Sequence, residues 1–198
     1  MIACGPEERP SAFKPDMQKI PILEEADASK EVAAVYADFQ RRMGFPHAPN
    51  FIKTQGHSLA VTRGTWALVQ NVLVGGALPR TVKEMMFAAI SHERRCAYCE
   101  AAHLACCRML GVDPASLTQL VSDLPDLSPE KVRDIIQFGL KCARDPRSLE
   151  AADFETLRRH GLSQSEIMET IAMAGVAVYA NIIADATGMS ADEMFSEF

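Results

Sequence analysis

From Arg80 to Leu110 the chain contains neither Gly nor Pro, and this stretch carries Glu84, Cys96, Cys99 and His103. Residue propensity alone permits one continuous helix there. Such a helix would set Glu84 about 18 Å from Cys96, at about 1.5 Å of rise per residue, too far for a carboxylate to act on a thiol. If the polar run Ser91-His92-Glu93-Arg94-Arg95 is a turn instead, the two halves fold back as an antiparallel helical hairpin. Counting outward from Glu93, Glu84 lies nine residues before and His103 ten after, so both sit at nearly the same level. A rotation of about 100° per residue puts Cys96, Cys99 and His103 on one stripe. The hairpin, with a Glu84–His103–Cys99 relay, is the expectation.

Helix punctuation governs the rest of the chain, and no alternating strand pattern of useful length occurs. Ser29 to Met43 has an apolar stripe of Val32, Val35, Tyr36 and Phe39 and ends at Gly44. Pro49-Asn50-Phe51 reads as an irregular connector. A helix is expected from Ser58 to the Gly75-Gly76 stop, another from Arg80, and another from Cys96 to Gly111. Asp113-Pro114 and Ser128-Pro129 each cap a further helix, and Ser148 to His160 forms the next. Ser163 to Glu166 is a capping box opening a long apolar helix that stops at Gly188. The fold class is therefore all-α, with a loose arm over residues 1–19 and a single helical domain over 20–198.

With 198 residues, 48% of them hydrophobic, the chain can bury a core. A net charge of −6 without a basic run argues against nucleic-acid binding. Met1 to Lys14 lacks the apolar core and cleavage site of a secretory signal. Ile171 to Ala184, broken by Gly175, Tyr179 and Asn181, reads as too short and polar to cross a bilayer. A cytoplasmic setting follows as the expectation. There, six cysteines (Cys4, Cys96, Cys99, Cys106, Cys107, Cys142) are not a disulfide framework, and a CxxC is catalytic or metal-binding.

A thiolate forms near neutral pH only with a base or positive neighbour, and a second thiol completes redox chemistry. Cys96, Cys99 and His103 supply both. Zinc is the chemical rival, because Cys106 and Cys107 follow on nearly the same stripe. Cys96 and Cys106, however, are about 15 Å apart along a helix, which cannot wrap four ligands round one ion. No metal is expected. Cys106, Cys107 and Cys142 read as small core residues, and Trp66, Met168 and Met173 as core. His47, His57 and His92 carry no expected role, and the Glu93-Arg94-Arg95 charges read as a solvated turn. Asn181 and Asp185, four apart on one face, suit a subunit contact or a site.

The Glu84, Cys96, Cys99 and His103 spacing resembles the alkyl hydroperoxide reductase D-like proteins of the carboxymuconolactone decarboxylase superfamily. Arg42-Met43-Gly44-Phe45 with Pro49-Asn50-Phe51, the Cys-x-Tyr-Cys core, and Asn181 to Asp185 are similar to its peroxidase-related branch. The resemblance covers about residues 20 to 190. It implies an all-helical fold, trimers or hexamers, and thiol-based reduction of hydroperoxides with no cofactor. By residue it makes Cys99 the attacking thiolate, Cys96 the resolving thiol, and Glu84 and His103 the proton relay. One position departs from the family pattern, since Tyr98 stands where described members carry a second His. The decarboxylase members lack the dithiol, which disfavours that activity.

The expected activity is a thiol-dependent peroxidase that takes a small-molecule hydroperoxide and is reset by an external dithiol or a reductant protein. The alternatives are a disulfide reductase feeding a separate peroxidase, or a non-catalytic helical module that senses oxidation. Which cysteine attacks stays open on sequence. Proximity to a helix N-terminus favours Cys96, whereas the family and the His103 spacing favour Cys99. The helix Ile167–Thr187 is apolar on most faces, so homo-oligomer contacts are expected to supply part of its burial.

Overall fold

The computed structural model describes residues 18–196. The expected arm falls almost entirely outside the described residues, as does Cys4. Lys19, placed in that arm, is already tied down, its N–H donating to Thr187 O at 2.8 Å.

Local chemistry sets the helix ends. Ser29 accepts from Val32 N–H to open α1 (Lys30–Met43), and Gly44 closes it at φ 81°, a left-handed conformation that costs glycine nothing. Val32, Tyr36, Phe39 and Met43 form its buried stripe. The segment expected as a connector is a short helix, α2 (Asn50–Gln55), begun by Pro49, whose carbonyl accepts from Ile52 and Lys53. Six residues are too few for periodicity to register. Ser58 caps α3 (Leu59–Leu68), but the expected run to Val74 is not α-helical throughout. It widens into a π-helical turn, Val69–Val74, before Gly75.

Then come α4 (Arg80–Glu93), α5 (Ala97–Met109), α6 (Pro114–Ser122, capped by Asp113) and α7 (Glu130–Arg144). The following helix, α8 (Ala151–Arg159), starts later than expected, because Pro146–Ser148 form a 3-10 turn and Glu150 with Asp153 makes the capping box. Ser163 and Glu166 form the expected box for α9 (Gln164–Thr187), which Gly188 ends. Among the described residues there is no strand. The fold is all-α.

The axis of the molecule is α4. Every residue from Val82 to Ser91 is buried, because α5, α7 and α9 pack around it. One of these residues is a lysine. Lys83 Nζ reaches Glu169 Oε2 of α9 at 2.9 Å and Gly75 O at 2.5 Å, while Glu169 accepts from the N–H groups of Ala77 and Leu78. A buried ammonium is tolerated only when paired in this way. The network fixes the exit of the π-helical turn against α9. A second apolar cluster, Leu78, Val82, Ile135, Phe138, Leu157, Leu162 and Ile167, joins α7 and α8 to the first turn of α9.

The reading of α9 needs two corrections. At 24 residues, with a mean hydropathy of 1.7 over its most apolar window, it is long and apolar enough to cross a membrane, and half of that window is buried in the protein. Met173 is core as expected, but Met168 is 61% exposed, and Ile182 is 55% exposed two turns from Gly175.

Candidate functional site

The chain reverses between α4 and α5 over Arg94, Arg95 and Cys96, three residues later than the start of the expected break at Ser91. Ser91 stays helical because it is buried. Its hydroxyl accepts from Asn181 Nδ2 at 2.9 Å, and its carbonyl accepts from Cys96 N–H at 2.9 Å. Arg95 takes φ 61°, which lets so short a connection turn back. His92 pairs with Glu100 at 3.0 Å, and Glu93 with Arg144 at 2.6 Å, while both stay exposed, as expected of a solvated turn.

This reversal packs α5 on α4 and brings Glu84 to His103. Glu84 is fully buried. Its Oε2 lies 2.6 Å from His103 Nδ1, and its Oε1 accepts from Arg80 Nε at 3.1 Å. An ionised Glu84 puts the imidazole proton on Nδ1 and leaves Nε2 as the basic nitrogen. The ring stacks on Phe87, with centroids 3.4 Å apart and planes 16° apart, so packing as well as hydrogen bonding fixes its orientation.

Cys96 occupies the N-cap of α5 and Cys99 its first turn, at 0% and 2% exposure. Both are free thiols. A hydrogen bond to Cys99, reinforced by burial and by the charge on that neighbouring sulfur, holds the Cys96 thiol far above its ordinary value, with Asp185 of α9 adding in the same direction. Burial and that bond oppose ionisation of Cys96, even though it sits at a helix N-terminus. Position agrees, since Cys99 and His103 line one pocket together and Cys96 does not. The pocket is about 50 Å³, walled by Phe45, Phe51, Phe87, Tyr179 and Phe195, among others. At about 10–15 Å³ per water, it accepts a small molecule or the head of a larger one.

Two features were not legible as site residues. Cys106, read as core, is buried but lines the same pocket, its thiol pushed up by burial and by the Glu84 charge. Its position three residues beyond His103 is the signal for it. The other is the surroundings of Tyr98. Its hydroxyl donates to Asp192 Oδ2 at 2.6 Å and accepts from Phe51 N–H at 3.0 Å. Asp192 also accepts from Asn50 N–H at 2.9 Å. Burial pushes both the tyrosine hydroxyl and the Asp192 carboxyl up. Nothing local in the sequence joins positions 98 and 192. His47 is exposed and His57 bonds Pro21 O at 2.8 Å, both outside the site.

Donor atoms of Glu84, His103 and Cys106 lie within 4.8 Å of one another, close enough to converge on an ion. The set fits a metal poorly. Arg80 already places a positive charge on that carboxylate, and a Cys106 thiolate would have to form against burial and the Glu84 charge.

The helical scaffold that carries the dithiol and the Glu84–His103 pair is similar to that of known proteins. Residues 60–124 match the model of the carboxymuconolactone decarboxylase family. The structure of an alkylhydroperoxidase AhpD core, an uncharacterized peroxidase-related protein from Ralstonia eutropha JMP134, is similar at a TM-score of 0.82 and 25% identity, covering 90% of this chain and 94% of that one. An uncharacterized peroxidase-related protein from Silicibacter sp. TM1040 gives 0.81 and 26%, covering 93% and 97%. The debrominase Bmp8, at 0.75 and 19% identity over 90% and 94% of the two chains, shares the fold. Among curated proteins none matches by sequence. Residues 60–124 are thus similar to the carboxymuconolactone decarboxylase family, and the fold is similar to that of AhpD-like, peroxidase-related proteins.

Proposed function

We propose that this protein is a cofactor-free thiol peroxidase acting on organic hydroperoxides. The observation that carries the reading is the Glu84–His103 contact of 2.6 Å in a site where His103 and Cys99 share one apolar pocket. In the reaction His103, held by Glu84, takes the Cys99 proton. The thiolate attacks the terminal oxygen of ROOH and the O–O bond breaks. Cys99 becomes a sulfenic acid, and the alkoxide leaves as ROH with that proton. Cys96, protonated until then, attacks the Cys99 sulfur. An S–S bond forms, hydroxide leaves and is protonated to water. An external dithiol returns two electrons and two protons to the 96–99 disulfide.

The structural neighbours described as peroxidase-related support an oxidoreductase of this type. A cytoplasmic setting suits a dithiol that must be re-reduced. Assembly into trimers or hexamers is part of the proposal, with exposed Met168 and Ile182 of α9 available to subunit contact. Consumption of cumene hydroperoxide with dithiothreitol as reductant tests the activity. Turnover that requires Cys99 supports it, and turnover undiminished in Cys99→Ser defeats it.

A further inference from the structure

The peroxidase reading uses the dithiol, Glu84 and His103, and leaves unexplained why a tyrosine between the two cysteines is bonded to the far end of the chain. Tyr98 lies on the first turn of α5, one residue before Cys99, and is 6% exposed. Its hydroxyl joins Asp192 and the start of α2. Asp192 takes three bonds in all, two from Asn50 N–H at 2.9 and 3.1 Å and one from Tyr98. Asn50 adds a further tie, its Nδ2 donating to Ser190 O at 3.2 Å. These contacts pin the segment that begins the last turn, Glu193–Ser196.

That turn carries Phe195, a wall of the pocket into which Cys99 opens. Phe195 meets Phe45 edge-on, with centroids 5.7 Å apart, and Tyr98 edge-on at 6.1 Å. The side-chain ties of Asp192 and Ser190 to the rest of the described chain thus run to Asn50 and to Tyr98, next to the thiol that the wall covers. A buried, charge-assisted bond network of this kind holds one arrangement strongly and tolerates little slack.

We propose that Tyr98 and Asp192 are positioning residues that hold Phe195 in place, and that this wall sets the size of molecule able to reach Cys99. The inference rests on Cys99 being the reacting sulfur. Tyr98 thus does not replace a relay histidine. It exchanges a proton-transfer group for a fastening that trades pocket width for selectivity. The favoured substrate class is a hydroperoxide on an apolar chain or a single ring, cumene hydroperoxide among them, with polycyclic hydroperoxides excluded by the wall.

The test measures access to Cys99 directly, so it does not depend on peroxide turnover. Wild type, Tyr98→Phe and Asp192→Ala are alkylated with iodoacetamide and with the bulkier N-phenylmaleimide, and the modified cysteine is identified by mass spectrometry. Tyr98→Phe keeps the ring and removes only the hydroxyl. The expected result is about a tenfold rise in the maleimide rate at Cys99 with iodoacetamide changing by less than about threefold. Phe195→Ala, which removes the wall without touching the fastening, should give the same size-selective pattern even if Asp192→Ala folds poorly. In turnover, KM for cumene hydroperoxide should fall in these variants while KM for hydrogen peroxide stays. Equal acceleration of both reagents would mean general loosening, and no change in either would mean that the wall does not gate; each result overturns the proposal. If no variant consumes peroxide while the alkylation pattern holds, the peroxidase reading fails and this one stands.

Discussion

Replacing Glu84 with glutamine preserves shape and removes one charge from the centre of the site. In the native protein the carboxylate accepts from Arg80 Nε at 3.1 Å and pairs with His103 Nδ1 at 2.6 Å. A glutamine has one oxygen, so one of these donors would face an NH2 group and the other would keep a neutral acceptor. A charge-assisted hydrogen bond contributes about 1.5–3 kcal/mol and a neutral one about 0.5–1.5 kcal/mol. The expected cost is then about 2–4 kcal/mol in stability, part of which also weakens the hold on a protonated imidazole. If about 1.4–2.8 kcal/mol of it falls on proton transfer from Cys99, the reaction of that thiol near neutral pH slows by about 10- to 100-fold. The assay is the pH–rate profile of Cys99 alkylation by iodoacetamide, with folding checked by thermal unfolding. The lost rate should return as pH approaches about 8.5, where a cysteine ionises unaided. A Glu84→Gln profile that superimposes on the wild-type profile would remove Glu84 from the mechanism.

Three further outcomes can be checked. Glu169, though burial pushes its carboxyl up, is held below the ordinary value overall by the Ala77 and Leu78 N–H groups and by Lys83. Its stabilisation is present above the unfolded value of about 4.3 and lost as pH falls through the lower folded value, so Glu169→Gln should destabilise by about 1.5–3 kcal/mol at pH near 7 and by far less near pH 3, measured by urea unfolding. Gly139→Ala places a Cβ 2.1 Å from Met86 Sδ in a fully buried site, and the overpacking, about 1–3 kcal/mol, should outweigh the gain of about 1 kcal/mol in helix propensity and lower the Tm by a few degrees. Small-angle scattering at micromolar concentration should report an oligomer, with Ile182→Glu shifting it toward monomer; a monodisperse wild-type monomer contradicts the proposed assembly.

Sequence reasoning succeeded where the determining chemistry is local. Ser29, Asp113 and Ser163 cap helices through their own side chains, and Gly44, Gly111 and Gly188 end them in conformations glycine favours. The level of Glu84 against His103 could be counted, because two helices joined by a tight reversal leave little choice of register. The π-helical turn at Val69–Val74 was not legible, since the same apolar run fits an α-helix until Lys83 and Glu169 fix its exit. Cys106 is core as expected, and its place in the pocket wall was not legible because a small thiol suits both settings. The Tyr98–Asp192 bond spans 94 residues and connects two groups that each look ordinary in their own surroundings. Met168 was expected inside because its helix is apolar, whereas exposure depends on which face its neighbours leave open.

The central claim is that Cys99 reduces hydroperoxide and Cys96 resolves it. It is tested most directly by treating wild type, Cys96→Ser and Cys99→Ser with a single equivalent of cumene hydroperoxide, quenching with a sulfenic-acid trap, and mapping the products by mass spectrometry. The account predicts a 96–99 disulfide in wild type, a trapped sulfenic acid on Cys99 after one turnover in Cys96→Ser, and unconsumed peroxide in Cys99→Ser. A sulfenic acid on Cys96 formed at wild-type speed in Cys99→Ser, or peroxide left intact by all three proteins, would contradict it.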